Sequence, residues 1–294
     1  MKKIINILKN NPAFLAMQKG KGEIVVSHAG DEAILIASTF CSFPKTMLII
    51  KDNQYQAQLL YQELYPLLKN KVSLFSCDES LRIEALASSQ ELMGERINTL
   101  ASLCQSEPRV VICHTHSFIR HIPHKTLFKK YVFNLKVGQI IEPLSLREKL
   151  IEAGYTMIQR VDEPFYYSKR GGVIDVYSIQ YNHPIRIEFF DDEIDSIRFF
   201  DENTQRSLES VQEVTILPAT DLLYDENEVK TVIDEIESYL QQSSCQEYQE
   251  DLEEEISIDI EALKTHGYSL RLYQYLGLFN STTTLLSYFD DVMI

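Results

Sequence analysis

Four sets of residues in this 294-residue chain have the types and spacing to do chemistry. Ser27-His28-Ala29-Gly30-Asp31-Glu32-Ala33 lies between a short apolar run and a helical pattern, which is the context of a phosphate loop. Such a loop needs backbone amides to cradle phosphate, a Lys to neutralise it and a hydroxyl to hold magnesium. This stretch has one Gly, no Lys, and two carboxylates where the anion would sit, so nucleotide binding is rejected. His114, His116, His121 and His124 form the second set, because a spacing of two puts His114 and His116 on one face of a strand, as in some zinc sites. Cys113 falls on the opposite face, and ordinary polar histidines at a strand end are expected, with no metal. The third set, Asp191-Asp192-Glu193 and Asp290-Asp291, reads as a hairpin turn and a strand entrance, neither of which implies acid–base catalysis. The fourth suits recognition. Arg170-Gly171-Gly172 opens an apolar run, and Ile185–Phe190 alternates with period two. Ile185, Ile187 and Phe189 share one face, and Arg186, Glu188 and Phe190 the other. If the aliphatic face is buried, an aromatic stands beside an Arg on the polar side, as protein-binding anchors do. The alternative is that Phe190, at the strand end, folds back into the core.

The elements that must position these residues follow from periodicity. Strands are expected at Glu23–Ser27, Thr46–Ile50, Val72–Phe75 and Val110–Cys113, with helices at Asp31–Phe40, Tyr55–Leu68 and Ser89–Leu103 between them. Strands alternating with helices imply a mostly parallel sheet covered on both faces. From about Tyr131 short strands take over, with one helix at Ser145–Ala153, capped by Ser145 and stopped by Gly154. Helices are expected again at Glu226–Gln242 and Gln246–His266, and Asp290–Ile294 reads as the opening of a buried strand.

Composition narrows the function. The net charge of −15 is concentrated in residues 221–261, which hold 15 acidic residues against Lys230 alone, so the chain should be repelled by a phosphate backbone. No run is long and apolar enough for a membrane span, and the first residues lack a signal-peptide core. Cys41, Cys77, Cys104, Cys113 and Cys245 make an odd count without a CxxC pair, which points to reduced thiols in a cytoplasm.

The order Arg170-Gly171-Gly172, Val173-Ile174-Asp175-Val176, Pro184-Ile185-Arg186, Phe189-Phe190-Asp191-Asp192-Glu193-Ile194-Asp195-Ser196 and Phe200-Asp201 resembles domain 2 of the UvrB excinuclease subunit. Gly171-Gly172, Thr204–Glu209 and Leu217-Pro218-Ala219-Thr220 favour the form found in bacterial transcription-repair coupling factors, Mfd. The resemblance is strong over roughly 131–220 and collinear elsewhere. It implies a degenerate P-loop-NTPase-like α/β domain 1a at 1–129, a β-rich domain 2 at 130–217 and a truncated domain 1b at 218–294. It also implies docking onto UvrA through Arg170, Arg186 and Phe190, with Gly171 and Gly172 permitting close backbone approach. No catalysis, cofactor or metal is expected in this fragment. ATP and magnesium, double-stranded DNA and RNA polymerase belong to the longer parent, a translocase. Ser76–Ser88 has neither the tyrosines nor the length of the DNA-probing hairpin of UvrB. The alternatives are an active UvrB-like ATP-dependent subunit or a metal-dependent hydrolase.

Overall fold

The computed structural model of the chain describes residues 1–20, 23–26, 28–77, 89–242, 249–265 and 269–294. The chain divides into two compact units, Met1–Arg120 with Thr284–Ile294, and His121–Thr283.

The first unit is α/β. Helices α1 (Lys2–Leu8), α2 (Pro12–Gln18) and α3 (Ala29–Ser42) precede β1 (Met47–Lys51). They are followed by α4 (Gln54–Leu68), β2 (Val72–Phe75), α5 (Gln90–Leu103), β3 (Val110–His114) and α6 (Thr115–Ile119). The three strands pair in parallel in the order β1-β3-β2. Asn53 caps α4 by accepting from Gln56 N, and Ala57, Leu60, Leu64 and Leu68 fall on one face at helical spacing. That face packs with Ala33, Ile36 and Phe40 of α3 onto Met47, Val72, Leu74, Val110 and Ile112 of the sheet. Glu23–Val26 is not a strand, contrary to its apolar pattern. It has no ladder to join, and Val25 is exposed. Met293 instead flanks β1, donating to Thr46 O at 2.9 Å and accepting from Leu48 N at 2.8 Å in a parallel bridge.

The second unit is β-rich and then helical. It begins with β4 (Ile122–Pro123), α7 (Lys125–Lys130), β5 (Phe133–Lys136), α8 (Pro143–Glu152) and β6 (Thr156–Met157). Next come β7 (Tyr166–Arg170), β8 (Val173–Val176), β9 (Ile185–Phe190), β10 (Glu193–Phe200), β11 (Ser207–Val211) and β12 (Glu213–Ile216). Strands β7 to β11 form an antiparallel meander, with β6 added in parallel to β7, giving a six-stranded sheet. Helix α8 starts at Pro143 behind Glu142, so Ser145 lies inside the first turn and is not the cap. Proline is favoured at that first position because its missing N–H has no intrahelical acceptor anyway. Gly154 does end the helix, at φ +89°, where a Cβ would meet Thr220 Cγ2 at 2.5 Å. Helices α9 (Val229–Gln242) and α10 (Gln249–Thr265) follow, then a 3-10 helix at Leu270–Leu278 and β13 (Thr282–Thr283), which pairs with β4. Val232, Ile233, Ile236, Ile260, Leu263, Leu272 and Leu276 give these elements a core of their own.

Two local features generate predictions. Tyr155, 4% exposed, donates its phenol to Leu217 O at 2.7 Å, and burial pushes its pKa up. The fold favours the neutral phenol, so the contribution is complete below the ordinary tyrosine pKa of about 10 and is lost as pH rises through the higher folded value. Melting of wild type and Tyr155→Phe should differ by about 1 kcal/mol at about pH 8, and the difference should shrink by about pH 11. Asp191 occupies the two-residue turn between the paired Phe190 and Glu193 at φ 53°. In urea titrations Asp191→Val should destabilise by roughly 1 kcal/mol, whereas Asp191→Gly, free of the Cβ penalty, should not.

Candidate functional site

Antiparallel register places the candidate recognition residues. Asp175 pairs with Arg186, Val173 with both Glu188 and Arg170, and Arg198 with Arg186. Directly paired residues share a face, so Arg170, Asp175, Arg186, Glu188 and Arg198 stand on one side of the sheet. Ile174, Ile185 and Ile187 fill the other, fully buried. Phe190, two residues beyond Glu188, belongs to the charged side and is 73% exposed, so it does not fold back into the core.

Asp175 is the hub of that face. Its carboxylate is 1% exposed and accepts Arg186 Nε–H on Oδ1 at 2.7 Å and Arg186 Nη2–H on Oδ2 at 2.8 Å. Arg170 Nη2 donates to the same Oδ2 at 3.0 Å. The Arg186 side chain is 19% exposed and lies over the Phe200 ring, its Cζ 4.5 Å from the centroid. Arg170 is 59% exposed. The Asp175 hydrogen bonds hold the Arg186 pKa above its ordinary value, against burial, which lowers it. Beside this trio Arg198 pairs with Glu188, which also accepts from Ser196 Oγ at 3.1 Å.

The two glycines serve different needs. Gly171 turns the chain at φ +57° with open space around it, a conformation that side chains with a Cβ resist. At Gly172 a Cβ would come within 3.2 Å of Phe189 O, so absence of a side chain permits close approach to β9. Near the hairpin end Ile140 bridges Glu193, which itself pairs with Phe190. Ile140, Glu193 and Phe190 therefore form a row, and Ile140 is 81% exposed. Sequence reasoning missed Ile140, Arg198 and the role of Asp175. Only a charge inside the apolar run Val173–Val176 hinted at the last.

The other candidate chemistries have different surroundings. Ser27 lies outside the described residues, as does the side chain of Ala29. His28 precedes α3, exposed, with Nδ1 3.5 Å from Asp31 Oδ2. Gly30 has no neighbour within 4 Å of a notional Cβ. Glu32 takes both contacts of Lys51 Nζ, at 2.6 and 2.9 Å. A carboxylate in the first turn suits the helix dipole, and here it is neutralised within the chain. His114 and His116 do not share a strand: β3 ends at the buried His114, and His116 is in α6. His121 and His124 flank β4. Among the described residues no three His, Cys, Asp or Glu side chains assemble as a metal site. The buried Cys113 thiol is pushed up to about 12 by desolvation, so it is not a nucleophile at neutral pH. Asp78–Ser88, most of the stretch compared with the UvrB hairpin, and Cys245 lie outside the described residues. No described helix is long and apolar enough to cross a membrane.

Comparison with known proteins places the charged face within a matched region. Residues 133–222 match the UvrB interaction domain family. The chain is 33% identical over 253 residues to the transcription-repair-coupling factor of Bacillus subtilis, covering 84% of this chain and 22% of the relative. It is 32% identical over 206 residues to that of Staphylococcus epidermidis, covering 70% and 18%, and 31% identical over 205 residues to that of Staphylococcus aureus, covering 69% and 18%. The chain thus spans about a fifth of the length of these relatives. At this similarity over most of its own length, the chain belongs to the same family as the transcription-repair-coupling factors, of which it matches a segment, and its residues 133–222 match the UvrB interaction domain family.

Proposed function

We propose that this chain is a docking module that recruits UvrA in transcription-coupled nucleotide excision repair. The carrying observation is the exposed Phe190 beside the Asp175-held arginines, within the matched domain. Interfaces concentrate their binding energy in an aromatic or Arg anchor set among positioned polar groups. Phe190 is the apolar anchor, and Arg170, the more exposed arginine, reaches the partner's carboxylates or carbonyls. Arg186 adds the donors that Asp175 does not use. Gly171 and Gly172 shape the turn that presents Arg170.

The reading extends to what the chain does not do. Its acidity argues against direct contact with a phosphate backbone. Glu32 and Lys51 neutralise each other where a phosphate loop would hold anion and cation, which supports a module without its own nucleotide. A longer parent would supply ATP-driven translocation on double-stranded DNA and the contact with RNA polymerase, in a bacterial cytoplasm.

Two measurements test this. Titration of the chain with purified UvrA should give saturable binding that Phe190→Ala weakens by about 30-fold, equivalent to about 2 kcal/mol, with Arg170→Ala also weaker and both variants melting like wild type. Equal binding by all three would move the interface elsewhere. Calorimetric titration with ATP and magnesium should release no binding heat, and tight binding would favour an active UvrB-like ATPase subunit instead.

A further inference from the structure

We infer that Asp175 is a positioning residue for partner recognition, setting the geometry of both arginines without touching the partner itself. The inference rests on the docking role proposed for this face. At 1% exposure the Asp175 carboxylate is out of reach of another protein, yet both of its oxygens accept from side chains that are within reach. Its side-on pair of bonds to Nε and Nη2 fixes the plane of the Arg186 guanidinium, and the Phe200 ring 4.5 Å beneath fixes its height. The Nη1 edge of Arg186 lies outside these bonds. The third bond draws Arg170, at the end of β7 in the same hairpin as Asp175, to the same carboxylate. Two long side chains are thus ordered before any partner arrives, so less side-chain entropy is lost on binding. The aligned donors fit a carboxylate or a pair of main-chain carbonyls on a protein surface.

Charge and position make opposite predictions here. Asp175→Asn leaves the face more positive, which by charge alone would strengthen attraction to an acidic patch. If position governs, the same variant binds more weakly. The experiment compares UvrA binding by the full chain and by its Asp175→Asn, Arg186→Lys and Phe190→Ala variants, together with the Arg Nε–H resonances of each unbound protein. The expected result is a protected Arg186 Nε–H in wild type that is lost in Asp175→Asn, with the backbone spectrum retained and binding weakened at least about tenfold. Arg186→Lys keeps the charge but not the side-on geometry, and should weaken binding as much; it decides the matter if Asp175→Asn does not fold. Asp175→Asn or Arg186→Lys binding like wild type, while Phe190→Ala fails, would overturn the positioning role and leave the docking role intact. Wild-type affinity in all three variants would overturn both.

Discussion

A carboxylate that is 1% exposed in the middle of a sheet constrains everything around it. Leaving such a carboxylate with no partner at all costs on the order of 3–5 kcal/mol, because the charge is then without solvent or counter-charge. Asp175 meets this requirement with three hydrogen bonds from two arginines on two strands. The pairing of β8 with β9 is therefore specified twice. Ile174, Ile185 and Ile187 require it on the aliphatic side, and Asp175 with Arg186 requires it on the other. A slip of one residue would bury Arg186 among the isoleucines and strand Asp175.

The α/β unit treats its charges differently. Glu32 and Lys51 form an ion pair whose side chains are 27% and 21% exposed, and the local charge is closed within the fold. On the β-rich face, Arg170 and Arg186 share one carboxylate, so a positive charge is left over beside an exposed ring. One arrangement is complete in itself, and the other is short of one acceptor. Under the docking role proposed for this face, that contrast separates a scaffold from a surface that receives a partner.

Much of this was legible in sequence wherever the signal is local. The helices expected at Tyr55–Leu68 and Ser89–Leu103 and the period-two run at Ile185–Phe190 all appear where periodicity places them. The exposure of Phe190 was legible only as one of two alternatives, since its end position permitted either. What failed was non-local. Glu23–Val26 carries strand residues but has no ladder, and pairing depends on a neighbour that the local pattern does not specify. His116 looked like a strand residue because the end of β3 and the start of α6 meet without a spacer. Asp175 was invisible as a hub because its partners lie 5 residues before and 11 residues after it, brought together only by register.

The stacking of Arg186 on Phe200 has a consequence for how this surface can change over evolutionary time. Phe200 is wholly buried, packed with Val161 and Tyr177, so the more buried of the two arginines proposed for recognition shares a wall with the interior of its domain. A mutation that retunes the arginine disturbs the interior, and one that repacks the interior tilts the arginine. Drift here should come as compensated pairs rather than single replacements, and lineages that rewire this contact would have to rebuild part of the domain beneath it.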